Sequence, residues 1–258
     1  MIMRRIRIII SYDGTAYVGW QTQPNGISIQ ETIENALSKV TKESVSLQGS
    51  GRTDSGVHAL AQVAHFDTAS RMPADKFAIA VNMFLPSDIR ILYSEECSFD
   101  FHSRFSAKLK EYRYKIHVGT HSDVFTRNTA LQLHHVPDLT SLQAAASDII
   151  GTHDFHAFMS SGTSVEKTVR TITKSEWIID GPFMIYCVSG NGFLYNMVRI
   201  LVGTMLEIGF GNLNSDSFQT AFRTGNRSDL GPTAPANGLT LYRVIYDDFD
   251  TLEVLSRG

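Results

Sequence analysis

The sequence predicts an α+β protein in which a largely antiparallel sheet carries its helices on one face. Three observations lead there. The first hundred residues read as β-α-β-β-α-β. The segment 110–118 alternates its side chains with period two, as a strand does. Residues 172–179 and 183–188 read as strands flanking the turn Asp180-Gly181-Pro182, a hairpin connection that only antiparallel neighbours can use. The second half repeats the element order of the first without repeating its residues, which fits an α+β fold better than a parallel α/β one.

The elements follow in order. Ile6, Ile8 and Ile10 alternate with Arg5 and Arg7 and stop at Ser11-Tyr12-Asp13-Gly14, so the N-terminal stretch is a strand ending in a turn, with no small-residue cleavage site of a secretory signal. Ser28-Ile29-Gln30-Glu31 is a capping box that opens an amphipathic helix on Ile29, Ile33, Leu37 and Val40. A strand near Ser44 to Gln48 leads through a glycine loop, Gly51 to Gly56, into a strand over Val57 to Phe66. A helix over Ala74 to Phe84 is stopped near Pro86, and a strand follows at Ile89 to Tyr93. In the strand 110–118, Lys110, Tyr112, Tyr114, Ile116 and Val118 share one face, while Glu111, Arg113, Lys115 and His117 share the other. Helices are expected at Leu139 to Ile150, at the apolar Phe193 to Ile208, and at Ser215 to Phe222. The natural boundary lies in Phe99 to Phe105, which divides the chain into 1–103 and 104–258.

A chain of 258 residues with 43% hydrophobic and 19% charged residues can bury a large core and lacks the composition of a disordered protein. No stretch approaches membrane-spanning length, so a cytoplasmic location is expected. Cys97 and Cys187 are too few and too far apart for a disulfide framework or a thiolate metal site, and both are expected as buried thiols. The net charge of −3 excludes a strongly basic nucleic-acid binder of the histone type but leaves room for a local basic face. Arg104, Lys108, Lys110, Arg113 and Lys115 cluster with only Glu111 opposing them, whereas Asp247, Asp248, Asp250 and Glu253 gather at 247–253. A polyanion-binding face with an acidic periphery and a solvated strand face both fit that pattern.

Gly51-Arg52-Thr53-Asp54-Ser55-Gly56-Val57-His58-Ala59 carries the strongest chemical signal, one carboxylate between two glycines on a loop entering a strand. Glycines there permit a tight turn and close approach of another molecule, and an exposed Asp54 could act as a nucleophile; the ordinary alternative is an Asx turn. A nucleotide-binding loop is rejected, because a strand rather than a helix follows and no Gly-Lys-Ser/Thr ending is present. His134-His135 and His153-Asp154-Phe155-His156 lack the helical spacing and thiolate companions of a metal site, so no metal is expected. Three features agree with Asp54 as a reactive centre. Tyr112 stands on the basic strand and can stack on a base. Arg199 is a cation amid Leu194, Met197, Val198, Ile200, Leu201 and Val202, and calls for an anionic partner such as Asp54. Arg52 is placed to contact a phosphate. Singly, each has an ordinary reading: a half-buried aromatic, a snorkelling arginine, a solvated loop charge.

Together these segments resemble the tRNA pseudouridine synthase A (TruA) family. The matching pieces are Tyr12-Asp13-Gly14 with Gly19-Trp20-Gln21, Gly51-Arg52-Thr53-Asp54 with Gly56-Val57-His58, Phe101-His102 with Arg104-Phe105-Ser106-Ala107, Tyr112-Arg113-Tyr114, and Phe193-Leu194-Tyr195-Asn196-Met197-Val198-Arg199. Pro232 to Pro235 with Gly238-Leu239 and Leu241 complete them in family order. The resemblance implies two ferredoxin-like (RRM-like) halves sharing a largely antiparallel sheet with an active-site cleft between them. It also implies isomerisation of uridine to pseudouridine in the tRNA anticodon arm, around positions 38 to 40, by a homodimer without cofactor or metal. Asp54 would be the nucleophile, attacking ribose or base or promoting glycal formation. Tyr112 would stack on the uracil and assist proton removal at C5, Arg199 would pair with Asp54, and Arg52 and Arg113 would hold the substrate. Thr22 stands between Gln21 and Gln23 where the family commonly has a basic residue, which removes one expected RNA contact.

Two other readings use the same residues. A non-catalytic RNA-binding module would stack bases on Tyr112 and Tyr114, but no RNP-like strand motif is present, since Gly209-Phe210-Gly211 follows a helix. A glycosidase needs a second carboxylate near Asp54, and the loop offers none.

Overall fold

The computed structural model describes residues 2–160 and 167–256. The chain divides into two units, one of residues 1–110 with 240–258 and one of residues 111–239. Both are α+β.

In the first unit β1 (Arg4–Tyr12) lies between β3 (His58–Thr68) and β4 (Ile89–Cys97), antiparallel to both, and β2 (Gln48–Gly49) pairs antiparallel with β3. The expected alternation of β1 is not what the strand shows, because Ile6, Ile8, Ile9 and Ile10 are all buried and Arg7 is only 7% exposed. A buried guanidinium is tolerable only when paired. Arg7 Nε donates to Glu95 at 2.5 Å, Nη1 lies 3.3 Å from Asp248, and the group stacks 4.0 Å from the Phe249 ring centroid.

Helix α1 (Ile29–Thr41) opens with the N-cap half of the expected capping box, Ser28 Oγ accepting the Glu31 N–H at 3.1 Å, and buries Ile29, Ile33, Ala36 and Leu37. It also explains why the strand expected at 44–48 shrinks to Gln48–Gly49. Glu34 of α1 accepts the Leu47 N–H at 2.8 Å and Gln30 donates to the Leu47 carbonyl at 3.2 Å, so helix side chains occupy the backbone groups a neighbouring strand would use. The helix expected over 74–84 is a 3-10 turn at Ala74–Lys76 continued by α2 (Phe77–Asn82), tied to β4 by Ala78 N–H on Ser94 Oγ and by Asn82 on the Ile91 backbone.

The second unit contains β5 (Leu109–Val118, from Glu111 onward), β6 (Leu131–Leu133), α3 (Leu139–Asp148), β7 (Gly151–Asp154), β8 (Val169–Asp180), β9 (Phe183–Gly190), α4 (Met197–Gly209) and α5 (Ser217–Thr224). Its strand order is β5-β9-β8-β7, with β6 parallel to β5. Strands β8 and β9 form the expected hairpin, and Gly181 takes φ +58° at the first central position of its two-residue turn. Helix α4 starts four residues later than expected because Asn196 sits in the left-handed region at φ 61°, which a helix cannot incorporate. Phe155, Phe158 and Phe218 are buried in one aromatic cluster completed by Phe222.

Strand β10 (Leu239–Ile245) leaves the second unit and runs parallel to β3, pairing Thr240 with His58 and Leu241 with Ala59, and α6 (Thr251–Leu255) follows. By its contacts the chain crosses between these units twice, once after Lys110 and once before Thr240, beside the expected single boundary at 103/104. A parallel pairing across so long a stretch leaves no local pattern in the sequence. The acidic residues at 247–250 are ion-pair partners inside this unit, Asp247 for Lys108 at 3.0 Å, Asp248 for Arg7, and Asp250 for Arg243.

In the second unit the segment 231–234 crosses α4 at Gly203, whose absent side chain admits the Pro232 carbonyl, while Gly231 N–H donates to Thr204 Oγ1 and Ala234 N–H to the Arg199 carbonyl, both at 3.0 Å. Gly203→Ala should therefore destabilise the protein by about 1–3 kcal/mol, the range of overpacking in a packed interior. Urea denaturation of the variant beside wild type measures it.

Candidate active site

The loop from Gly51 to Gly56 is held from two directions, both within the first unit. At its start Ser50 N–H donates to the Val63 carbonyl at 2.7 Å, Ser50 Oγ to Gln62 Oε1 at 2.6 Å, and Gln62 Nε2 to the Gly51 carbonyl at 2.9 Å. Lys110 Nζ donates to the Ser50 carbonyl. Further along, Val57 N–H donates to the Asp54 carbonyl at 3.1 Å, closing a four-residue turn in which Gly56 takes φ +76°. The expectation that both glycines serve the turn holds for Gly56 alone. Gly51 has ordinary backbone angles, and a side chain there would lie 3.3 Å from Lys110 Nζ, so its role is to leave that lysine room.

The second hold comes from residues 12–20. Tyr12 hydroxyl and Thr53 Oγ1 share a bond of 2.8 Å, Trp20 N–H donates to the Thr53 carbonyl at 3.0 Å, and Ser55 Oγ donates to the Tyr17 carbonyl at 3.1 Å. Gly19 makes this closeness possible. It adopts φ +109°, and a Cβ on it would stand 2.7 Å from the Thr53 carbonyl oxygen and 3.1 Å from the Asp54 carbonyl carbon. Gly14 likewise lies against the Val57 backbone and donates its N–H to His58 Nδ1 at 3.1 Å. Burial pushes the Tyr12 phenol pKa upward, so its hydroxyl stays neutral and able to bridge to Thr53. Thr53 is turned inward and buried, Asp54 is half-buried, and Arg52 and Ser55 are exposed. The pieces Tyr12-Asp13-Gly14 and Gly19-Trp20 thus have a physical reason to accompany Asp54. The bonds that unite them run between residues more than thirty positions apart and leave no spacing signal.

In the second unit Tyr112 is buried, with its ring edge-on to Phe193 at 5.1 Å and 81°. Arg113 Nε donates to the buried Glu111 at 2.8 Å, and Lys115 Nζ lies 3.8 Å from the centroid of the Phe183 ring. These cations of the basic strand thus have partners in their own unit. Arg199 is half-buried in the first turn of α4, where a cation gains nothing from the helix dipole, so its place is set by its hydrogen bonds. Nε donates to the Ala234 carbonyl at 2.7 Å and Nη1 to Asn196 Oδ1 at 2.9 Å. These neutral acceptors were not visible in the sequence, where only the demand for a partner was.

The other groups singled out have structural partners. His153 stacks on Phe222 at 4.5 Å and 21°, and its Nε2 is 3.0 Å from the Ile150 carbonyl. Among the described residues no three His, Cys, Asp or Glu side chains gather as a metal site would require. Cys187 is buried, but Cys97 is only half-buried, and burial pushes its thiol up to about 11. Thr22 is exposed, with its hydroxyl 3.4 Å from Ser28 Oγ at the start of α1. No helix among the described residues is long and apolar enough to cross a membrane.

Comparison with known proteins adds to this geometry. The model of a family described as tRNA pseudouridine synthase matches residues 8–106 and 145–247. The chain is 46% identical over 244 residues to the tRNA pseudouridine synthase A of Acetivibrio thermocellus, covering 95% of this chain and 100% of the relative. It is also 46% identical over 248 residues to that of Bacillus pumilus, with 95% and 100% covered. A solved archaeal box H/ACA sRNP Nop10-Cbf5 complex is similar over 78% of this chain and 44% of its own, at a TM-score of 0.34 and 16% identity.

Gly19→Ala should strain the backbone and push on the Asp54 turn, costing about 1–3 kcal/mol. Hydrogen exchange should accelerate in residues 51–57 more than in α1, which measures whether the grip of residues 12–20 is what orders that loop.

Proposed function

The chain belongs to the tRNA pseudouridine synthase family and isomerises uridine to pseudouridine in tRNA, and we propose that Asp54 is the nucleophile of that reaction. The observation that carries the assignment is the fixed loop. Its backbone is bonded on both sides while the Asp54 carboxylate stays half-exposed, the preorganisation that a group meeting a substrate needs. Asp54 begins the isomerisation by attack on the ribose C1′, by attack on the base, or by promoting a glycal, and all three routes use the same carboxylate. The N1–C1′ bond breaks, the uracil turns, C5 bonds to C1′, and the C5 proton leaves as N1 gains one. No electron or group passes to a second reactant, so the chemistry calls for no redox or carrier cofactor.

From the second unit we assign Tyr112 to stacking on the uracil and to the proton loss at C5, and Arg199 to pairing with Asp54, which keeps the carboxylate ionised. Arg52 and Arg113 hold the substrate. These assignments rest on the residue-by-residue resemblance and on side-chain chemistry: a ring, a guanidinium fork and an exposed cation suit those tasks. Arg52 on its exposed loop suits a nucleotide that must leave its stack before the carboxylate can reach it. We place the target uridines in the anticodon arm around positions 38 to 40 and take the working enzyme to be a cytoplasmic homodimer. A second copy would double the basic face of a chain whose net charge is only −3.

Asp54→Ala should abolish pseudouridine formation in unmodified tRNA transcripts, with no metal or cofactor added, while leaving the tRNA dissociation constant within about threefold. Wild-type turnover by that variant would sink the assignment, and tight binding without product from either protein would point to a binding module. Arg199→Ala should lose activity and also about 1–3 kcal/mol of stability, since it strands the Ala234 carbonyl and Asn196 side chain in a half-buried place. Thermal denaturation and the same turnover assay separate the two effects.

A further inference from the structure

Phe105 is 76% exposed, and its surroundings fix the ring in place. The turn that carries it is locked by its own hydrogen bonds. His102 N–H donates to Ser106 Oγ at 3.0 Å and Ser106 N–H to the His102 carbonyl at 2.9 Å. The N–H groups of Arg104 and Phe105 both point at His102 Nδ1, at 3.1 and 3.4 Å, which fixes the imidazole plane. On that plane lies the Phe105 ring, centroids 4.4 Å apart and 35° inclined. Behind His102 stands buried His65, 4.8 Å away and edge-on. Phe105 is thus the outer member of a column of three rings rooted in β3.

The column is joined to the Asp54 loop. His65 Nδ1 accepts the Ser103 N–H at 3.2 Å, and Ser103 Oγ donates to the Gln48 carbonyl in β2, the strand that leads into residues 50–56. The exposed cation Arg104 lies 5.6 Å from the Phe105 centroid. A rigid, exposed aromatic ring with a guanidinium over it at cation–π distance has the chemistry that accepts a stacked base with its phosphate alongside.

We propose that Phe105, backed by His102 and flanked by Arg104, is a stacking platform for an unpaired tRNA base other than the target uridine, making it a substrate-positioning residue. The proposal rests on the tRNA reading given above. A base on this platform would fix the position of the strand relative to the loop that carries Asp54, and would contribute to affinity more than to the chemical step.

The test measures binding and turnover of an unmodified tRNA transcript with wild type, Phe105→Ala, Phe105→Leu and Phe105→Trp. Binding is measured in an Asp54→Asn background so that no product forms. Phe105→Ala should raise the dissociation constant and KM on the order of tenfold, the size of one base–aromatic stack, with kcat within about twofold. Phe105→Trp should restore wild-type affinity and Phe105→Leu should not, because stacking needs a π face. All three should melt as wild type does, since the ring is exposed. Unchanged binding by Phe105→Ala, or full rescue by Phe105→Leu, overturns the platform. The two readings fail separately, as an absence of pseudouridine from wild type strikes the reaction while Phe105 is judged from binding.

Discussion

The grip of residues 12–20 on the backbone of residues 53–57 is the constraint on which the first unit turns. It is a packing of main chain on main chain, possible because Gly14 and Gly19 have no side chains and because Tyr12 can pass a hydrogen bond inward to Thr53. Backbone groups cannot choose another rotamer, so a contact made this way holds an adjacent carboxylate more tightly than side-chain packing would. The end of β1, the cap of α1 and the strands around the loop are arranged about that contact. Gly49 shows the same logic, for a side chain there would lie 2.6 Å from the Trp20 ring.

Electrostatics explain how a protein of net charge −3 can act on a polyanion. The acids of 247–250 are spent on cations inside their own unit, and Glu111 is spent on Arg113. Each such pair is neutral and presents little field to a distant phosphate, so the local potential beside the loop is set by other groups and not by these acids. Among the exposed cations, Arg52 lies on the loop itself and Arg104 beside the aromatic column.

Elements with a local cause were legible in the sequence. The capping box at Ser28, the hairpin turn at Gly181 and the alternation of 110–118 each act within a few residues, and the glycine-flanked Asp54 stood out for the same reason. What escaped depended on distant atoms. Glu34 takes the Leu47 N–H and shortens a strand; Asn196 in the left-handed region delays α4; the carbonyl of Ala234 meets Arg199 from thirty-five positions away. Burial of Arg7 was hidden too, since its partners Glu95 and Asp248 stand 88 and 241 positions away in the sequence. The side chains around Asp54 were quoted as motifs, but their task of clamping one backbone turn is a fact of three dimensions.

The parallel seat of β10 beside β3 bears on how the molecule is made. On the ribosome, residues 1–110 emerge first, yet their sheet lacks a strand and Arg7 lacks Asp248 until residues 240–250 arrive, after all of the intervening unit. The N-terminal segment must therefore wait, partly assembled, with the β3 edge open to unintended pairing, while the second unit can complete itself from continuous chain. Nascent-chain biology, and not only the finished architecture, sets which half of this enzyme becomes competent last.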